Sequence, residues 1–140
     1  MKKIALLFAA LSLSACASGT SLQETGAAKQ PIAADKGRIV VYRTSLMGMA
    51  VQPDVYIDGA KASTCAPRGA FSKDVAPGTH SISATTETQK TVQIAVQPGQ
   101  TADVRCSIGF GMLVGRAVFE AVPAATGQKE SAGLAFTGKY

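Results

Sequence analysis

The chain has 140 residues, 46% of them hydrophobic, with 14 basic and 9 acidic side chains, one His and no Trp. That length accommodates one ordinary domain and is too short for two. The basic residues are scattered singly, without the run or stripe that nucleic-acid binding requires, so nucleic acid is excluded as a partner.

The N-terminus reads MKKIALLFAALSLSAC. Lys2 and Lys3 form a positive start, and Ile4 to Leu13 form an apolar run of ten residues. A bilayer core needs about 20 apolar residues, so the run is a signal peptide rather than a membrane span. It ends in Leu13-Ser14-Ala15-Cys16, which resembles the lipobox of bacterial lipoproteins. The resemblance implies cleavage after residue 15, lipidation of Cys16, and a protein anchored to a membrane rather than spanning it. In that family an Asp after the Cys retains the protein at the inner membrane. Ala17 stands there instead, which implies the outer membrane, facing the periplasm. Without Lys2 and Lys3 the rest of the chain carries 12 basic and 9 acidic residues, a mild net +3.

Residues 16–36 follow as a small, polar stretch without an apolar period, which predicts a flexible tether spanning roughly 25 Å. From Gly37 the texture changes to short runs separated by turn residues. Arg38 to Arg43 is apolar on both faces and fits a central strand. Runs at 54–58, 61–65, 71–75 and 80–84 follow, with turns at Gly59 and Pro77-Gly78. Thr91 to Val96 alternates, with Val92, Ile94 and Val96 on one face. After Pro98-Gly99, Ala102, Val104, Cys106 and Ile108 alternate with Thr101, Asp103, Arg105 and Ser107, which aims Cys106 at the core. Ala117 to Val122 reads as a further strand. About seven short strands with regular turns predict an all-β, antiparallel sandwich over 37–122. The tail, 123–140, reads as partly ordered, with an edge strand near Leu134 to Phe136.

Cys65 and Cys106 remain once Cys16 is set aside. Either they form a disulfide or they pack as two buried thiols, and export to an oxidising compartment favours the disulfide. It would close a loop of about 40 residues and stabilise by roughly 3–4 kcal/mol on the chain-entropy account. With His80 as the one other soft ligand, no metal site is expected.

The glycines of SIGFGMLVGRAVF fit neither phosphate fingerprint. Gly115 is followed by Arg116-Ala117 rather than Lys-Ser or Lys-Thr, and Gly109, Gly111 and Gly115 have the wrong spacing for a dinucleotide loop. Seven residues before Arg116 are too few to cross a membrane. What remains is a connection between strands carrying Phe110, Met112, Leu113 and Val114. Ser45 to Val51, with Leu46, Met47 and Met49, has the same apolar, Gly- and Met-bearing texture. Connections are ordinarily polar. The two loops therefore either form an apolar binding patch, with Arg116 as a polar clamp, or tuck over the core and close it.

No catalytic constellation accompanies them. His80 sits at a strand start as a structural group, without a nucleophile elbow. Asp54, Asp58, Asp74 and Asp103 fall at strand ends or outward positions, where solvated turn roles explain them. The expectation is a binding or accessory module with no catalytic activity, no cofactor and no metal, anchored to the membrane by its lipid and meeting an envelope protein. The alternative is an inhibitor or small-ligand binder with a pocket at the sandwich mouth.

The order RIVVYR, DVYIDGAK, GAFSKDVAPGTHSISA, PGQTADVR and GMLVGR resembles small bacterial lipoproteins built on domain of unknown function 2846, from Gly37 to about Gly127. YIDG followed by APGTHSI is also similar to PEGA-type modules. The resemblance implies an immunoglobulin-like or prealbumin-like sandwich, carries over no catalytic residue, and groups Gly111, Gly115 and Arg116 in a shared feature.

Overall fold

The computed structural model describes residues 19–86, 90–113 and 115–139. The stretch read as a signal peptide, Cys16 and Val114 lie outside them.

The strands are β1 (Gly37–Tyr42), β2 (Asp54–Ile57), β3 (Ala60–Thr64), β4 (Gly69–Val75), β5 (Gly78–Ala84), β6 (Lys90–Val96), β7 (Thr101–Gly109), β8 (Arg116–Val122) and β9 (Ala135–Lys139). They form two sheets, one ordered β8-β7-β1-β4-β9 and the other β3-β2-β5-β6. Most neighbours are antiparallel, but β1 runs parallel to β7 and β4 runs parallel to β9. The fold is an all-β sandwich. The Asp58-Gly59 hairpin between β2 and β3 has φ of 51° and 79° at its two central residues, the positive pair that a tight hairpin turn demands.

The alternation read from the sequence fills the space between the sheets. Ile39, Val41, Phe71 and Val104 face Val55, Ile57, Ile82 and Ile94, all buried. Each such side chain contributes roughly 1.5–3 kcal/mol relative to exposure. Cys65 and Cys106 are joined in a disulfide with Cα atoms 6.3 Å apart. It links the segment just after β3 to β7, and so fastens one sheet to the other.

β1 is buried on both faces because the five-stranded sheet has a second covered side. There Leu22, Ala27 and Leu134 pack on Val40, Tyr42 and Ala70. The stretch read as a tether is therefore fastened over its described part. Leu22 N–H donates to the Leu134 carbonyl at 2.9 Å, and Ser21 bridges to Ala135. The cause is Arg38, wholly buried at the start of β1. Its Nε and one terminal nitrogen bind the Asp74 carboxylate at 2.7 and 3.2 Å. Its other terminal nitrogen donates to the carbonyls of Ala27 and Gln30 at 3.1 and 3.0 Å. A buried guanidinium must find acceptors for its donors, and the N-terminal segment supplies two of them.

The tail is equally engaged. It holds the edge strand expected near residue 135, now β9, and an unforeseen helix, α1 (Ala124–Ser131). Arg105 on β7 binds Glu130 of α1 through two nitrogens at 2.9 and 2.8 Å, and the Tyr42 hydroxyl donates to the same carboxylate at 2.7 Å. Hydrogen bonds from Arg105 and then Tyr42 hold the Glu130 carboxyl below its ordinary range.

The placement of the acids needs correction. Asp103 is not an outward, solvated group: it is 3% exposed beneath α1. Asp74 belongs to the buried Arg38 pair. Asp58 does sit in a turn, where it takes on His80.

Candidate functional site

The loops that follow β1 and β7 emerge at the same end of the sandwich because those strands are parallel neighbours, Tyr42 standing beside Arg105. Two segments distant in sequence are thereby laid side by side. Both meet Ile108 near the end of β7. A Cβ on Gly48 would stand 3.0 Å from Ile108 Cγ2, and one on Gly115 would overlap the same methyl. Only glycine lets the two backbones approach that side chain so closely.

The first loop is built around Arg43, the residue directly after β1, which is wholly buried. One terminal nitrogen donates to the Val51 and Cys65 carbonyls, both at 2.9 Å. The other donates to the Met47 and Gly48 carbonyls at 2.7 and 3.0 Å. The loop wraps the guanidinium, and four carbonyls replace the water that would otherwise solvate it. Arg43 Nε has no hydrogen-bond partner, and burial pulls the guanidinium below its usual pKa. A further turn, Val51 N–H to the Gly48 carbonyl at 2.8 Å, closes the loop.

With its backbone fixed inward, the loop turns its apolar side chains outward. Leu46, Met47 and Met49 are 55–65% exposed, and Phe110, Met112 and Leu113 across from them are 88–95% exposed. Val51, at the loop's base, packs against the core. Gly48, Val51 and Gly115 lie against the core, and the six larger side chains stand in solvent. Arg116 begins β8 opposite Gly109 and is half-buried, at the base of the second loop rather than its tip. Val114 lies outside the described residues.

Sequence reasoning missed Arg43. Its one signal was an arginine directly after a run apolar on both faces, where no carboxylate lies near in sequence. His80 is held between two acceptors. Its Nδ1 lies 2.6 Å from Asp58 Oδ2 and its Nε2 lies 2.6 Å from the Ala76 carbonyl. Burial works against its charge, but the Asp58 carboxylate and the Ala76 carbonyl outweigh it and raise its pKa. Among the described residues no three His, Cys, Asp or Glu side chains cluster as metal ligands, and no helix is long and apolar enough to cross a membrane.

Residues 33–117 match a family described as a protein of unknown function, DUF2846. This chain belongs to the DUF2846 family. An uncharacterized protein of Haemophilus influenzae is 33% identical over 132 residues, a match covering 91% of this chain and 79% of that one. No solved structure matches. The DUF2846 match takes in β1 to β7, Arg43, the disulfide pair Cys65 and Cys106 and both apolar loops, and it ends before α1 and β9.

Proposed function

We propose that this DUF2846 protein is a lipid-anchored binding module of the bacterial cell envelope. Cys16 holds it in the outer membrane facing the periplasm, and the two apolar loops dock a protein partner. It acts as an accessory component, by binding rather than by catalysis.

The observation that carries this reading is the clustering of exposed apolar side chains at one end of the sandwich. Six large apolar side chains stand in solvent on loops anchored by Arg43, Gly48 and Gly115. Apolar patches on adjoining loops mark interaction sites more often than incidental surface. Each side chain that a partner buries contributes roughly 1.5–3 kcal/mol. Several must enter the partner's groove together to offset the cost of association. A preformed loop lowers that cost. Ile108 lies directly beneath Gly48 and Gly115, and the side chains that protrude above it are the point of contact.

The test is Met47→Asp combined with Leu113→Asp in the anchored chain. Both side chains are exposed, so folding is retained and partner association is lost. Undiminished recovery of the partner contradicts the proposal. For the anchor, labelled palmitate should enter the wild-type chain and not Cys16→Ser; equal labelling of both overturns that part.

A further inference from the structure

A cavity of about 300 Å³ lies on the outer side of the five-stranded sheet, between the N-terminal segment, α1 and the strands β1 and β7. That volume is at the lower end for small-molecule sites, on the order of 300–1,000 Å³. Its walls are mostly apolar, with Leu22, Val40 and Ala132 among them, and its polar groups include Thr101, Ser131 and Asp103. It is separate from the loop patch.

Asp103 is the informative member. It neighbours Val40 across the parallel pair and is 3% exposed. Its Oδ2 is buried without a hydrogen-bond partner. The burial is enforced by α1, because a Cβ on Gly127 would overlap Asp103 Cβ, so the helix backbone lies directly on the carboxylate. A bare carboxylate oxygen in such a place costs stability, and an apolar residue or an amide would cost less. Orphaned buried groups of this kind are uncommon and call for a partner. Lys29 also lines the cavity, but it is exposed. Burial also pushes the Asp103 carboxyl up to about 6, as expected of an acid with no local donor.

We propose that this cavity binds a small ligand with an apolar body and an ammonium head, the head taken by the Asp103 carboxylate. An ammonium brings three donors. The Asp103 carboxylate accepts one, and Thr101 and Ser131, which line the same cavity, carry hydroxyls as further acceptors. Leu22, Val40 and Ala132 enclose the body.

The experiment is methyl NMR of the full chain, titrated with 2-phenylethylamine and, separately, with the neutral isostere 2-phenylethanol. The amine should shift the Leu22 and Val40 methyls saturably and leave those of Val55 and Val104, between the sheets, in place. It should bind about tenfold more tightly than the alcohol, the scale of one charge-assisted hydrogen bond. Asp103→Asn should keep the native methyl spectrum and lose the preference for the amine. Ala132→Phe, which fills the cavity from its wall, should abolish binding of both probes and covers the case in which Asp103→Asn fails to fold. Equal affinity for amine and alcohol, no saturable shift at Leu22 and Val40, or undiminished amine binding in either folded variant overturns the site.

Discussion

Gly48 and Ile108 meet where the two apolar loops meet: a Cβ on Gly48 would stand 3.0 Å from Ile108 Cγ2. Gly48 also has φ of +67°, so alanine there faces both a strained backbone and a crowded neighbour. Gly59 has φ of +79° but open space around it. Gly48→Ala should therefore destabilise by about 1–3 kcal/mol and by more than Gly59→Ala, measured by chemical denaturation. Equal losses would show that the loops do not lean on Ile108.

Arg43 gives a sharper prediction. Replacing it with Met strands four carbonyls that share one buried guanidinium, and should cost about 3–5 kcal/mol. Lys keeps the charge but has one donor centre in place of two, so Arg43→Lys should be intermediate. Limited proteolysis should then cut between residues 45 and 51 in both variants before it cuts elsewhere. A wild-type cleavage pattern would mean that the loop stands without its arginine.

Asp103 makes stability depend on pH in a direction unusual for a carboxylate. Its folded pKa of about 6 lies above the unfolded value near 4, so the folded state holds the proton longer. Stability is greatest below about pH 4 for this group and is lost as pH rises through about 6, by roughly 2–3 kcal/mol. Asp103→Asn should raise the melting temperature at pH 7.5 and remove that part of the pH dependence. A variant no more stable than wild type at pH 7.5 would contradict the burial cost assigned to the carboxylate.

His80 adds to the same trend at higher pH. Its pKa is raised, so its contribution is complete below about 6.5 and fades as pH climbs through the raised value. NMR titration of the imidazole should place its midpoint above 6.5, and Asp58→Asn should lower it. A midpoint unmoved by Asp58→Asn would remove the pair from the account.

The strands were legible in the sequence because alternation, turn dipeptides and β-branched runs are local signals. β1 to β8 lie within about two residues of the runs that predict them. Three features were not legible, and each depends on pairing distant in sequence. The covering of the outer face by residues 19–36 rests on two apolar residues, Leu22 and Ala27, and on the acceptors that Arg38 needs. α1 has Pro123 before it, no side-chain cap and a glycine in its middle, so no local propensity announces it. Packing on Asp103 and the Glu130 contacts hold it in place. The two apolar loops were recognised by composition, but their adjacency follows from the parallel β1–β7 pair, which no local pattern encodes.

The proposed function requires that these loops meet one partner together. The most direct measurement places a photoreactive residue at Met47, at Phe110 and, as a control at the far end of the sandwich, at Thr79, in the anchored chain in living cells. Met47 and Phe110 should crosslink to the same envelope protein, Thr79 should not, and Leu113→Asp should remove both crosslinks. Different proteins at the two loops, or the same products at Thr79, would contradict it.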